Sequence, residues 1–345
     1  MLTTTKTISA QELYSILKNV KVGGSVCHYS LKKCEEFVPV INEIRQLKEE
    51  KHAIVLAHSY VAPEITYGVA DFVGDSYELS KNAKNSDAKI IVFAAVRFMG
   101  DTAKILSPEK EVLIPGLLDG CTLADSITDA DVRRLRKQFP GYTFVCYINT
   151  TAKVKAECDV CVTSSNVYNI VERIPNDKIY FLPDKMMGQN LVDEMKRRGV
   201  KKTLEYYSGT CYVHEEYNAE QIFRIRTEYP NAKIVSHPEC NPQVIANSDF
   251  VGSTSQMLNY MRETESKQFL MLTECGLSSR LQVEFPNKQL VGSCTLCRYM
   301  KSNTLEDILR VLKTPTKRDR VVIEEKTRQK ALKSIEAMFT YTQSS

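Results

Sequence analysis

The chain has 345 residues, 46 Lys and Arg against 42 Asp and Glu, a net charge of +4, 43% hydrophobic residues and 26% charged ones. That balance belongs to an ordinary globular protein too long for one core, with two or three domains expected. It argues against a disordered chain, no apolar run approaches a membrane span, and the charge is too weak to imply a nucleic-acid partner.

Met1 to Thr7 is rich in hydroxyls and lacks the apolar centre of a secretory signal, and no arginine-rich amphipathic stretch follows, so a cytoplasmic location is expected. Eleven cysteines are many. In a reducing compartment they point to metal binding or catalysis before disulfides, although a free cysteine also packs as a small hydrophobe. Residues 1 to about 50 read as an appendage. Ser9-Ala10-Gln11-Glu12 is a capping box, Gly23-Gly24 a break, and Val40, Ile41, Ile44 and Leu47 one face of a helix. Cys27, His28 and Cys34 have no fourth ligand nearby and read as surface and packing residues.

A repeat then begins. Buried strands Ile54–Ala57, Phe144–Cys146 and Ile234–Ser236 end in His58-Ser59-Tyr60, Tyr147-Ile148-Asn149 and His237-Pro238-Glu239, with polar residues at alternate positions, so each pair shares one face. Helices follow, with Pro63 and Pro242 suited to first turns. Next come Ala70–Ser76, Cys158–Ser164 and Ser248–Thr254, which align without gaps and end in hydroxyl residues ahead of another helix. A third strand (Ile90–Phe93, Ile179–Leu182, Phe269–Leu272), a helix and a fourth strand (Val112–Ile114, Leu204–Tyr206, Leu290–Val291) lead into Cys121, Cys211 and Cys297, spaced by 90 and 86 residues. Helices from Thr304 to Leu312 and from about Glu324 to Phe339 finish the chain.

Strands alternating with helices predict parallel sheets covered on both faces. The expected fold is therefore α/β: three similar α/β/α sandwiches related by a pseudo-threefold axis around one central site. The units are taken as 40–122, 123–211 and 212–299. Residues 1–39 form an extension of unassigned role, and the helices of 300–345 pack on the first unit.

Ligands of parallel α/β units bind beyond the carboxyl ends of the strands, where helix amino termini also point. Three thiolates meeting there leave a fourth coordination position open, which suits an iron–sulfur cube or a catalytic zinc. Cys158 and Cys161 fall where the other copies have Ala70, Val73, Ser248 and Val251, so they read as packing residues; Cys146, Cys240 and Cys275 have no counterparts and read as structural. Ser76, Ser164, Ser253 and Thr254 read as helix caps that also suit a carboxylate or phosphate. His58, His237 and His214 are candidate site residues. No Cys-x-x-x-Cys-x-x-Cys run or Gly-x-Gly-x-x-Gly turn supports a radical or nicotinamide enzyme.

Several segments together resemble the quinolinate synthase family. They are His58-Ser59-Tyr60 with Pro63-Glu64, Ala70–Ser76, Phe98–Lys104, Gly120–Asp125, Cys211–Glu215, His237–Cys240 and Cys297–Lys301, over about residues 40 to 340. The resemblance implies a [4Fe–4S] cluster on Cys121, Cys211 and Cys297 with one open iron. It implies condensation of iminoaspartate with dihydroxyacetone phosphate to quinolinate, in de novo NAD biosynthesis, and a functional link to an L-aspartate oxidase. It also implies Tyr60 and Glu239 as the proton-transfer pair, with His58, Tyr147, Asn149, His214 and His237 around the reacting carbons and Ser76, Ser164, Ser253 and Thr254 as carboxylate and phosphate binders. Ser59 departs from the family's usual Asn, but strand alternation turns it away from the inward pair. By the same resemblance Cys294 either forms a disulfide with Cys297 when the cluster is lost or is a bystander. Alternatives from other classes are a different open-iron hydro-lyase and a non-enzymatic cluster or zinc sensor.

Overall fold

The apolar runs at 54–57, 144–146 and 234–235 have no polar face to offer solvent, so each lies second from the edge of a parallel sheet covered on both sides. In the computed structural model, residues 7–22 and 27–343 are described; residues 1–6 and the Gly23-Gly24 break lie outside them. One sheet orders its strands Phe72–Gly74, Ala53–His58, Ile90–Ala94 and Glu111–Leu113. The second orders Val160–Val162, Thr143–Tyr147, Lys178–Leu182 and Thr203–Tyr206, and the third Phe250–Val251, Lys233–Ser236, Gln268–Leu272 and Gln289–Leu290. All three share one strand order, and every pairing is parallel.

One aspartate per sheet pins the register. Asp71, Asp159 and Asp249 each accept a backbone N–H from the neighbouring strand through Oδ2, from Val55 at 2.7 Å, Phe144 at 2.8 Å and Ile234 at 2.8 Å. Because side chains alternate, a one-residue slip would turn each inward pair to the wrong face, so this bond protects the site as well as the sheet.

Helices fill the connections as the proline and cap signals require. Pro63 and Pro242 open Pro63–Gly68 and Pro242–Ala246 at the first turn, and Ser9 closes a capping box on Ala10–Leu17. The helix read around residue 40 is longer than the sequence suggested. It runs Leu31–Glu50 straight through Pro39, held by Cys34, Ile41, Ile44 and the stem of Lys48 buried along one side. His28 is exposed and Cys34 buried, so they share no site; the Cys27 side chain lies outside the described residues.

The two C-terminal helices part company. Leu305–Lys313 packs against Leu31–Glu50 beside the first sheet, whereas Glu325–Gln343 lies mainly on Ala152–Lys155 and Val160–Val162 of the second and touches Arg97–Leu106 of the first. Its face of Ala331, Ile335 and Met338 is fully buried in the core shared by the sheets. Among the described residues no helix is long and apolar enough to cross a membrane.

Candidate active site

The ends of the three inner strands converge on a single cavity. His58 and Tyr147 are the last residues of their strands and His237 follows the third; two residues on stand Tyr60, Asn149 and Glu239, and all six line the cavity. Ser59 does not line it: its Oγ donates to the Gly74 carbonyl at 3.3 Å and accepts from Arg280 Nη1 at 2.9 Å, so it faces the scaffold. Ser76, Ser164, Thr254, His214, Cys121, Cys211 and Cys297 complete the candidates on the wall.

Ser253 is the exception. It is fully buried behind the wall, where it caps Thr254–Glu263 in a capping box and donates to Asp75 Oδ2 at 2.9 Å. Of the hydroxyls read as caps, only Ser253 caps a helix. Asp75 caps Ser76–Asn85 by accepting from the N–H groups of Tyr77 and Glu78, and Asn166 occupies the cap position of Val167–Arg173. Ser76 and Thr254 are therefore first-turn residues. Thr254 Oγ1 is buried with no hydrogen-bond partner among the described residues, in the cavity wall, at the amino terminus of a ten-residue helix.

A continuous line of hydrogen bonds crosses the cavity wall. Tyr60 Oη and Thr273 Oγ1 are 2.6 Å apart, Thr273 Oγ1 and His214 Nε2 3.2 Å, and His214 Nδ1 and Glu239 Oε2 3.1 Å. Tyr147 Oη then donates to Glu239 Oε1 at 2.6 Å. Burial opposes the charge on Glu239, but His214 and His237, with the bonds from His214 and Tyr147, outweigh it and hold the carboxyl down at about 2. Burial likewise keeps Tyr60 and Tyr147 protonated, well above the usual phenol value.

His58 and His237 share one local turn. In each, the backbone N–H two residues on donates to Nδ1, from Tyr60 at 3.2 Å and from Glu239 at 3.4 Å, which leaves Nε2 to carry the ring proton. Burial pushes both imidazoles down to about 3, so both are neutral donors at ordinary pH.

The three cysteines occupy equivalent positions. Cys211 and Cys297 immediately precede the short helices Tyr212–Glu215 and Arg298–Lys301, and Cys121 precedes a helical turn at Ala124–Ser126. Backbone N–H groups of these turns point at each sulfur: Ala124 and Leu123 at Cys121, His214 at Cys211, Met300 and Tyr299 at Cys297. The preceding backbone is fixed alike too. The N–H that opens the last helix of each unit donates to the carbonyl two residues before the cysteine: Arg97 to Asp119 at 2.7 Å, Lys185 to Gly209 at 2.7 Å and Cys275 to Thr295 at 3.1 Å.

These sulfurs suit a cluster better than one ion. A tetrahedral zinc would draw three sulfurs to about 3.8 Å of one another, given a bond near 2.3 Å. Among the described residues, the group of ligand atoms all within 4.8 Å of one another is Cys211, His214 and Glu239, so at least one pair of the three thiols stands further apart than that. Burial lifts all three thiols, Cys121 up to about 12, a setting in which a bound metal favours the thiolate.

For Cys294 the resemblance left two alternatives, a disulfide with Cys297 when the cluster is lost or a bystander. It is bonded to Cys275, which the repeat had left as a structural residue, and not to Cys297. The reason is local: Glu274 and Thr295 form a parallel bridge that brings the two backbones together, with Cα atoms of the cysteines 5.2 Å apart. Cys146, Cys158 and Cys161 lie buried together in the second unit, with Cys146 and Cys161 in register on adjacent strands, in keeping with packing roles.

Thr273, Glu274 and Asp75 were missed as site residues. Thr273 joins Tyr60 to His214. Glu274, fully buried on the wall, accepts the Cys297 N–H at 2.9 Å and pairs with Lys301 at 3.1 Å, and Lys301 in turn donates to the Tyr60 carbonyl.

Proton donors and acceptors joined in one line, buried beside three thiols, serve packing poorly, since each costs more to desolvate than an apolar side chain of its size; such a set marks an enzyme. The family model of quinolinate synthetase A protein matches residues 42–340. The quinolinate synthase of Caulobacter vibrioides (strain NA1000 / CB15N) is 44% identical over 274 residues, 78% of this chain and 73% of its own. That of Xylella fastidiosa (strain 9a5c) is 39% identical over 332 residues, 93% and 96% of the two chains, and that of Clostridioides difficile (strain 630) 42% over 295, 85% and 95%. The chain belongs to the quinolinate synthetase A family.

Proposed function

We propose that this enzyme joins iminoaspartate to dihydroxyacetone phosphate and closes the pyridine ring of quinolinate, releasing phosphate and two waters. The observation that carries the reading is the unbroken line from Tyr60 through Thr273 and His214 to Glu239 and Tyr147, in a cavity that also holds the three thiols. Enolisation, imine formation and dehydration each move a proton, and this line joins the phenol of Tyr60 to the carboxylate of Glu239.

Glu239, ionised, takes protons; Tyr60, kept protonated by burial, gives them; Thr273 and His214 connect the two so that either end can be reset. Neutral His58 and His237 offer Nε2–H groups to developing oxyanions without adding charge. The unpartnered Thr254 Oγ1, with Ser76, Ser164 and Asn149, holds carboxylates and the phosphate, helped by the helix amino termini behind Ser76 and Thr254. Ser253 acts one step back, holding the wall residue Asp75 from behind. Cys121, Cys211 and Cys297 would hold a [4Fe–4S] cluster, which supplies Lewis-acid help to a departing hydroxyl through the iron that no protein sulfur binds. The units are taken as 40–122, 123–211 and 212–299, the location as cytoplasmic, and the source of iminoaspartate as an L-aspartate oxidase.

The test is an anaerobic assay of the reconstituted protein for quinolinate from the two substrates. Product at a rate that falls on the order of a hundredfold in Glu239→Gln, with cluster absorption kept, is expected. Zinc without sulfide in anaerobically purified protein would sink the cluster reading, and normal turnover of the variant would remove Glu239 from the mechanism.

A further inference from the structure

The last helix of each unit leans on the central loop of the next, in a closed cycle. From the first unit, helix Arg97–Leu106 presents Asp101, whose Oδ2 accepts the Ala152 N–H at 3.2 Å just beyond Asn149. From the third, helix Cys275–Glu284 returns to the first loop. Arg280 Nη1 donates to Ser59 Oγ at 2.9 Å, and Gly276 packs so close that a Cβ there would sit 2.4 Å from the Tyr60 carbonyl oxygen.

The middle contact is the most directed of the three. Asn190 lies on Lys185–Arg197 of the second unit, at the helix position that Arg280 holds in the third. Its Nδ2 donates to the carbonyls of Pro238 at 2.9 Å and Cys240 at 2.7 Å, the residues on either side of Glu239. The side chain is buried, and both N–H groups of its amide are spent on one turn of backbone.

We propose that Asn190 is a positioning residue for Glu239, and that it acts across the boundary between the second and third units. The bond to Pro238 fixes the Pro238–Glu239 peptide plane and the bond to Cys240 fixes the Cys240–Asn241 plane. The Cys240 N–H, donating to the His237 carbonyl at 2.9 Å, holds the plane between them, so the backbone on both sides of Glu239 is kept from turning. The carboxylate then stays within 2.6 Å of Tyr147 Oη and 3.1 Å of His214 Nδ1. Bonds of that length tolerate little displacement, and a misplacement near 1 Å lowers turnover on the order of a hundredfold. Apolar packing would hold the loop down without setting this angle. A leucine of the same bulk supplies no donor, and an aspartate offers the two carbonyls an acceptor.

The proposal rests on Glu239 moving protons, and the test separates the two ideas. In cluster-loaded enzyme, Asn190→Leu is expected to lower kcat at least about tenfold, with KM for both substrates within about threefold and iron and sulfide per chain unchanged. Added to Glu239→Gln it is expected to change kcat less than about twofold, because no carboxylate is left to position. A merely structural role predicts the same loss in both backgrounds, and that result overturns the proposal, as does full turnover by Asn190→Leu while Glu239→Gln is inactive. Full turnover by Glu239→Gln alone would strike the underlying assignment instead. If the leucine variant does not fold, Asn190→Asp carries the same measurements.

Discussion

At Cys297 the backbone N–H donates to Glu274, that carboxylate is paired with Lys301, and the Cys275–Cys294 disulfide closes the loop beside it. At Cys211, in the same place of the second unit, the residue matching Glu274 is Asp184, fully buried, with Oδ1 capping its helix through the Met187 N–H and Oδ2 without a hydrogen-bond partner among the described residues. The backbone anchors of the two turns are nearly the same; the side chains behind them are not. Aspartate is one methylene short of the reach Glu274 has. Burial, with Glu239 nearby, pushes the Asp184 carboxyl well above its usual value. Repetition has kept the hydrogen bonds of the main chain and let the side-chain support of each sulfur diverge.

The strongest way to break this comparison is at the sulfurs. Cys211→Ser and Cys297→Ser should each abolish the visible cluster absorption of anaerobically reconstituted protein, whereas Cys294→Ser should leave it. Absorption kept by either ligand variant would mean that the two turns are not equivalent.

Acid titration of the cluster-free protein extends the comparison to the loops. His58 and His237 have folded values near 3, below the value near 6.5 of an unfolded chain, so the unfolded state alone gains their protons as pH falls below 6.5. Stability is fully present above that pH and is lost toward 3, by about 2 kcal/mol per histidine between pH 6.5 and 5. Urea unfolding against pH should show this, with the slope roughly halved in His58→Gln. An unchanged slope would show that likeness of backbone does not bring likeness of titration.

Next in size is Glu274→Gln. It leaves the Lys301 ammonium without its carboxylate and should cost about 3 kcal/mol in urea unfolding. Smallest is Asp184→Asn, expected within about 1 kcal/mol of the parent, because the oxygen it replaces has no partner to lose. If Asp184→Asn costs as much as Glu274→Gln, the two turns are supported alike after all.

The sequence shows most readily what the duplication repeats. Strand ends, the pin at Asp71, Asp159 and Asp249, and the cysteines recur at matching positions, so the α/β units with their parallel sheets could be read residue by residue. What differs between copies was hidden. The position of Glu274 is Val96 in the first unit and Asp184 in the second, so no alignment of copies singles it out. Thr273 stands against Ala95 and Pro183, and Cys275 has no matching thiol, so a bond from it to Cys294 has no signature. Asn190 sits inside a helix whose buried face reads as packing, and its two carbonyl partners belong to another unit. Ser253 fell on the wrong side of the wall, since cap and ligand-facing hydroxyls are adjacent in the chain and only the fold separates them.

The N–H that opens each last helix, bonded to the carbonyl two residues ahead of a sulfur, has one more consequence. Those bonds span 22, 24 and 20 residues, from Arg97 to Asp119, Lys185 to Gly209 and Cys275 to Thr295. The intervening chain can therefore lengthen or shorten without moving the cysteine, because the position of the thiol is set by where the helix starts and not by how the chain gets there. Insertions and deletions in these connections are absorbed before they reach the centre, and the unequal intervals of 90 and 86 residues between the cysteines record that tolerance.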